Sequence, residues 1–94
     1  MRIIDILWLP DIVEKLAVKH DVQPLEVEEV LLGRPGFRRL ERGKVQGEDL
    51  YTAMGQTDAG RYLIVYFTRK AGGVALIISA RDMDSRERRQ YGRK

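Results

Sequence analysis

Two glycine-containing turns, Asp58-Ala59-Gly60 and Ala71-Gly72-Gly73, constrain the fold of this chain more than any other feature. Each turn separates two stretches that are rich in β-branched and aromatic residues, which is typical of β-hairpins. Because such short connections leave no room for a crossover helix, the strands on either side should be antiparallel neighbours. The pattern predicts four strands, over residues 37–45, 48–57, 61–70 and 74–81.

The lengths of the two turns predict the register of the strands. A three-residue loop at 58–60 pairs Gln56 with Tyr62, and a two-residue turn at Ala71-Gly72 pairs Tyr62 with Arg81 and Tyr66 with Ile77. One face of the sheet is then almost wholly apolar; it carries Tyr51, Ala53, Gly55, Leu63, Val65, Phe67, Leu76, Ile78 and Ala80. The opposite face, called the mixed face below, carries Thr52, Gln56, Tyr62, Tyr66, Thr68, Ser79 and Arg81 among a few aliphatic residues. We expect the first two helices to cover the apolar face.

Helical patterns lie at both ends of the chain. Pro10 opens one over residues 11–19, and Pro24 opens a second that ends at residues 33–36. A third helix is predicted from Asp84, a favourable N-cap, to about Tyr91. A further short strand can form within residues 3–8. The sequence therefore predicts one α+β domain over residues 1–94, with two N-terminal helices, a four-stranded antiparallel sheet, a C-terminal helix and a short, flexible basic tail.

The composition excludes several classes of protein. The chain has 94 residues, no cysteine and one histidine, which excludes disulfide frameworks, thiol catalysis and multi-histidine metal sites. It has no apolar run long enough to span a membrane and no signal-peptide pattern, so we expect a cytoplasmic protein without a metal or cofactor. The net charge of +3 arises in the second half, where five basic residues follow Met83. A basic C-terminal end favours an anionic partner such as RNA, DNA or an acidic protein.

Several motifs occur in an order and spacing that resemble one known family. They are Trp8 with Pro10, Lys19-His20-Asp21-Val22 before an acidic helix, Arg42-Gly43 with Gly47-Glu48, Gly55, Ile78-Ser79-Ala80-Arg81, and Glu87-Arg88 with Tyr91. Together they cover nearly the whole chain and resemble the BrnT-type toxins of bacterial toxin–antitoxin pairs. The resemblance implies a RelE-like fold, a ribonuclease activity that inhibits translation, and neutralisation by a partner antitoxin that also binds DNA.

Arg81 is the first candidate for a catalytic residue in such an activity. RNA can be cut without a metal because its own 2′-OH can attack the adjacent phosphate, and preorganised cations that stabilise the developing charge usually contribute most. Arginine binds phosphate oxygens in a bidentate fork and keeps its charge. The structural alternative is a strand-end arginine that is paired with Glu87 or Asp82.

Two further residues are candidates for proton transfer. His20 carries the only side chain whose unperturbed pKa lies near neutrality, although a histidine at a helix end often only caps carbonyl groups. Glu48 can act as a general base or form a salt bridge with Lys70, its predicted cross-strand neighbour.

Six residues are predicted to contact RNA. They are Lys19, Tyr66, Thr68, Ser79, Arg88 and Tyr91. Lysine and arginine suit phosphates, while an aromatic ring on the mixed face can stack on a nucleobase. For the tyrosines the alternative is ordinary packing on a sheet, and for Lys19 it is a solvated helix position.

The sequence is thus interpreted as a metal-independent endoribonuclease toxin that acts on RNA and is neutralised by a cognate antitoxin. Assembly as a homodimer, or as a hetero-oligomer with the antitoxin, is compatible with this interpretation. One alternative is a catalytically inactive module of the same fold that binds a partner protein or nucleic acid. Another is a small DNA-binding protein that uses its basic helix.

Overall fold

The computed structural model describes residues 1–45 and 48–93, which form five strands and three helices. The strands are β1 (Asp5–Leu7), β2 (Gly36–Glu41), β3 (Leu50–Gln56), β4 (Tyr62–Lys70) and β5 (Val74–Asp82). The helices are α1 (Pro10–His20), α2 (Pro24–Leu32) and α3 (Ser85–Gly92). Two parts of the sequence predictions, Gly47 in one motif and Lys94 in the basic tail, lie outside the described residues.

All five strands belong to one sheet, in the order β1-β5-β4-β3-β2. The predicted antiparallel pairing of β2 through β5 is confirmed. The prediction of a purely antiparallel, four-stranded sheet is wrong, because β1 pairs in parallel with β5 and places Asp5 opposite Val74. The fold is therefore α+β with a mixed sheet, in which α1, α2 and three strands separate the two parallel neighbours along the chain.

The hairpin between β3 and β4 has the predicted register. Gln56 lies opposite Tyr62 and Thr52 lies opposite Tyr66. Gly60 adopts a φ of 92°, a left-handed conformation that glycine accepts without strain. Thr57 closes the turn, since its N–H donates to the Arg61 carbonyl at 2.9 Å and its hydroxyl accepts from the Arg61 N–H at 3.0 Å.

The predicted register of β4 and β5 is wrong by two one-residue shifts. The turn has three residues instead of two, with Lys70 opposite Val74. A β-bulge at Ile78 then adds a second shift, so that Tyr66 lies opposite Ser79 and Ile64 opposite Arg81. Because a one-residue shift exchanges the two faces, the two shifts together keep Ser79 and Arg81 on the mixed face.

The three-residue turn changes which residues of β5 enter the core, until the bulge restores the predicted alternation after Ile78. Leu76 and Ile78 were predicted to face the helices, but Ala75 and Ile77 are fully buried in their place, while Ala80 is fully buried as predicted. Ile78 is 38 % exposed. An unpaired residue in a strand alters the alternation of side chains, and neither turn chemistry nor hydropathy marked its position.

The loop between β2 and β3 is longer than predicted. β2 ends at Glu41 instead of residue 45, and β3 begins at Leu50, opposite Glu41. The Gly43 N–H donates to the Asp49 Oδ1 at 2.7 Å, which joins the two ends of the loop. Glu48 therefore precedes β3, and the expected cross-strand pair with Lys70 does not form.

Helices α1 and α2 cover the apolar face, as expected. Pro24 begins α2 behind a capping box in which the Gln23 N–H donates to the Glu26 Oε1 at 3.0 Å. The core joins residues of both helices to the sheet; it includes Leu16, Val22, Val27, Val30, Leu31, Ala53, Leu63, Val65, Phe67, Ala75, Ile77 and Ala80. None of the helices in the described part of the chain is long and apolar enough to cross a membrane.

Candidate active site

The end of β5 and the start of α3 are joined by one glutamate. Asp84 caps α3, because its Oδ1 accepts the Glu87 N–H at 2.8 Å. The Glu87 carboxylate in turn accepts the Asp84 N–H at 2.9 Å. This capping box turns the Glu87 side chain back towards β5, where Arg81 lies.

Arg81 binds Glu87 through a bidentate ion pair on the mixed face. Its Nη1 donates to the Glu87 Oε1 at 2.7 Å, and its Nη2 donates to the Oε2 at 2.9 Å. Nη2 also donates to the Tyr66 hydroxyl at 3.0 Å, and Nη1 to the Asp82 carbonyl at 3.1 Å. Of the two structural alternatives, the Glu87 pairing is thus the one observed. Hydrogen bonds from Arg81 lower the pKa of Glu87, and the Glu87 carboxylate raises the pKa of Arg81 above its usual range.

The lowered pKa of Glu87 predicts that α3 loosens in acid. Above the unfolded-state pKa of about 4.3, the ionised carboxylate stabilises the folded chain, and this contribution is lost as the pH falls through the lower folded-state pKa. Amide hydrogen exchange along residues 85–92, measured from about pH 6 to pH 3, should show faster local opening in acid than the intrinsic exchange rate explains. The Glu87→Gln variant retains Asp84 and should lack most of this pH dependence. An unchanged pH dependence in the variant would assign the effect to other groups.

A second contact between α3 and the sheet involves aromatic rings. The Arg88 guanidinium carbon lies 4.1 Å from the centroid of the Tyr62 ring, within cation–π range. The Tyr91 ring meets Tyr62 edge to face, with 6.0 Å between centroids. Arg88 and Tyr91, two of the predicted RNA contacts, therefore lie over the mixed face, and both contact Tyr62.

Tyr66 lies at the centre of the mixed face. Ser79 is its neighbour on β5, Thr52 is its neighbour on β3, and Thr68 follows it by two residues on β4. A cavity of about 120 Å³ opens beside it between β2 and α3, lined by Arg38, Leu40, Thr52, Met54, Ile64, Tyr66, Glu87 and Gln90. The Thr68 hydroxyl is buried and has no hydrogen-bond partner among the described residues. Two predicted RNA contacts, Tyr66 and Ser79, thus lie together near Arg81, while Thr68 is on the same face but four residues along β4 from Ile64, the residue opposite Arg81.

The three remaining candidates lie away from this cluster. Lys19 is exposed on α1, which packs on the opposite face of the sheet. His20 ends α1 and lies on that side of β5, where its charge contributes to lowering the pKa of Asp82. Glu48 is exposed in the loop before β3, at the end of the sheet where Leu50 pairs with Thr68. That row of the sheet is about 13 Å along the strands from the row that contains Arg81.

Arg61 is an important residue that the sequence did not reveal. Its guanidinium donates to the Asp82 carboxylate at 2.7 and 3.2 Å, and to Glu26 at 3.2 Å. It also donates to the carbonyls of Asp21, at 2.6 Å, and His20, at 2.9 Å. One side chain thereby joins the end of α1, the start of α2 and the end of β5. A polar residue directly after a hairpin glycine gives no sequence signal of this role.

Acidic groups on the described surface do not assemble into a cation site. Residues 1–45 and 48–93 contain no group of three or more His, Cys, Asp or Glu side chains placed to hold a metal ion. The charged residues beside Tyr66 are instead Arg81, which binds its hydroxyl, and Glu87 and Arg38, which line the same cavity.

These features define a small α+β protein in which an arginine-rich helix contacts the mixed face of the sheet through Arg88 and Tyr91. Comparison with protein families identifies the group more closely. The model of BrnT, the ribonuclease toxin of type II toxin–antitoxin systems, matches residues 8–87, and the chain belongs to this family. The match begins at Trp8 and ends at Glu87, so it includes both partners of the Arg81–Glu87 ion pair. No curated protein sequence gives a significant match to the chain.

Proposed function

We propose that the protein is a metal-independent endoribonuclease toxin in which Arg81 stabilises the phosphate while the neighbouring 2′-OH attacks it. Membership of the BrnT family implies a ribonuclease toxin with an RNA target and an antitoxin partner. The observation that carries the finer proposal is the bidentate fork of Arg81 on the Glu87 carboxylate. A phosphate offers the same pair of oxygens to the same fork, so the carboxylate marks the position that a phosphate would take.

For RNA to bind there, the phosphate has to replace the carboxylate of Glu87. The ion pair is partly solvated, with 34 % of the Arg81 side chain and 17 % of the Glu87 side chain exposed. Because solvent reaches both groups, an incoming phosphate can approach and replace the carboxylate in the fork of Arg81. Helix α3 has eight residues and buries none of them fully, and short helices with few packing contacts open readily. Movement of α3 would uncover Arg81 together with Tyr66.

The chemistry then needs stabilisation of charge and transfer of protons. Arg81 supplies a fixed positive charge on the end of a strand, where little reorganisation is needed as charge develops. The Tyr66 hydroxyl accepts a hydrogen bond from Arg81, so its own proton is available to a phosphate oxygen at the same place. The roles of His20 and Glu48 as general acid and base stay predictions. Neither residue lies next to Arg81.

The proposal predicts that a chelator leaves RNA cleavage intact. Purified protein would be incubated with a single-stranded RNA in the presence of excess chelator, and the products analysed by mass spectrometry. Attack by the 2′-OH leaves a 2′,3′-cyclic phosphate on the upstream fragment, so both the unchanged rate and this product are expected. The same RNA with a 2′-O-methyl group at the cleavage site is the control and should stay intact. Cleavage that disappears with chelator and returns with Mg²⁺ would contradict the metal-independent mechanism.

We further propose that the antitoxin covers the mixed face through an acidic segment. Exposed arginines lie along α3 and directly after its last residue; they are Arg86, Arg88, Arg89 and Arg93. Opposite charge steers association and fixes the partners in register. An antitoxin that binds α3 would also keep RNA from Arg81, which is a direct way to silence the site.

A second candidate function is a catalytically inactive module that binds a protein or nucleic acid. The observation in its favour is that both terminal nitrogens of Arg81 already have partners in Glu87, Tyr66 and Asp82. Such a module would retain RNA or protein without cutting RNA. Detectable cleavage by wild-type protein that is lost in an Arg81 variant would exclude it.

A further inference from the structure

Arg38 is the one residue of β2 that presents an unpaired positive charge to the cavity beside Tyr66. The side chain is exposed, and it makes no hydrogen bond or ion pair with any described residue. The adjacent Arg39 points to the other side of the sheet, where it meets Asp49 at 3.6 Å. Neither the motifs of the sequence nor the family match assigns a role to Arg38.

The register of the sheet places Arg38 in line with the candidate active site. Arg38 lies opposite Thr52, Thr52 opposite Tyr66, and Tyr66 opposite Ser79. These four residues form a row across β2, β3, β4 and β5 on the mixed face. Arg81 follows Ser79 by two residues and binds the Tyr66 hydroxyl, so it stands at the other end of the same surface.

Arg38 lines the cavity directly, and Arg81 binds Tyr66 and Glu87, two residues that line it on the side away from β2. The strands of the two arginines are three spacings apart, or about 14 Å from backbone to backbone. Between them, the cavity is lined by the ring of Tyr66 and by Thr52, Met54 and Ile64. A surface with a cation at each end and an apolar, aromatic floor between suits a chain that alternates charged phosphates with flat bases.

The geometry points to Arg38 as a second phosphate-binding residue, which holds a phosphate flanking the one at Arg81 while a base lies over Tyr66. This inference rests on the proposed function and extends it. It predicts that the bound RNA runs across the sheet from β2 to β5, and not parallel to one β-strand. Arg38 contributes to binding and to the position of the RNA. The cleavage step itself depends on Arg81.

The test compares Arg38→Ala with Arg39→Ala. Both variants remove one positive charge from β2 at neighbouring positions, but only Arg38 faces the cavity. Binding would be measured by fluorescence anisotropy with a single-stranded RNA made uncleavable by 2′-O-methyl groups, over a series of salt concentrations. Arg38→Ala should weaken binding about tenfold and reduce the slope of log K against log salt by about 0.7, the value for one phosphate contact on a single strand. Arg39→Ala should change both much less.

Single-turnover cleavage of the matching unmodified RNA separates binding from chemistry. Arg38→Ala should need more protein to reach half-maximal rate, while the rate at saturation stays within about twofold of wild type. Equal behaviour of the two variants, with wild type cutting RNA, would overturn the role of Arg38 and leave the proposed function standing. If wild type neither binds nor cuts RNA, the proposed function and the Arg38 inference fall together.

Discussion

Replacing Arg81 with alanine is expected to lower the rate of RNA cleavage by roughly 10²–10³-fold, the usual effect of removing one group that stabilises developing negative charge. The loss should appear in the rate at saturating RNA as well as at low RNA, because the interaction strengthens in the transition state. Arg81→Lys should recover only part of the rate, since an ammonium group cannot reproduce the fork that now holds Glu87. The measurement is single-turnover cleavage of one defined RNA by each variant.

The matched control for Arg81→Ala is Glu87→Ala. Both substitutions break the same ion pair and release α3, but the second keeps the cation. We expect Glu87→Ala to retain cleavage within a few-fold of wild type, or to raise it, because Glu87 occupies the position proposed for phosphate. Circular dichroism would establish that both variants fold. An equal loss in the two variants would mean that the ion pair maintains the structure and that Arg81 has no direct role in the reaction.

Replacing Arg61 with alanine is expected to reduce the free energy of unfolding by about 2–3 kcal/mol. The substitution leaves the carboxylates of Glu26 and Asp82 facing each other without the cation between them, and it removes two donors from the end of α1. Hydrogen bonds from Arg61 are the largest cause of the lowered pKa of Asp82. For a domain of this size the midpoint of thermal unfolding should fall by about 10–20 °C.

Arg39→Ala is again the suitable control, because it removes an arginine whose single ion pair is long and exposed. That substitution should change stability by about 0.5 kcal/mol or less. Urea unfolding would be followed by the fluorescence of Trp8, which lies between β1 and α1 and donates to Glu28 at 3.3 Å. A loss below about 1 kcal/mol for Arg61→Ala would show that solvent replaces its partners almost fully.

Local turn chemistry explains which parts of the fold were predictable. The register of β3 and β4 depends on one three-residue loop with a glycine at positive φ. The length of the loop and the position of its glycine can both be recognised in the sequence. The pairing of β1 with β5 joins residues 5–7 to residues 74–76, and no local pattern encodes such a contact. The bulge at Ile78 was likewise hidden, because it inserts a residue into a run that is apolar throughout.

The candidate site was predictable to a similar extent. Alternation along the strands was enough to bring Tyr66, Ser79 and Arg81 to one face. Glu87 was predicted as one of two partners for Arg81, but the capping box that positions its side chain was not. The positions of His20 and Glu48 relative to Arg81 depended on how helices and loops pack around the sheet, which alternation does not describe. Arg61 was missed for the same reason, since its partners come from three separate elements.

The order of the strands has a consequence for how this protein meets others. The outer strands are β1, with three residues, and β2, which carries Arg38, Arg39 and Glu41 and has a bulge between the last two. Short length, charge and irregularity at an edge discourage another chain from adding a strand there, and they protect a sheet protein against aggregation. A partner is therefore expected to approach over α3 instead of extending the sheet. Removing the charge of Arg38 or Arg39 is accordingly expected to lower the solubility of the protein, measured at several protein concentrations.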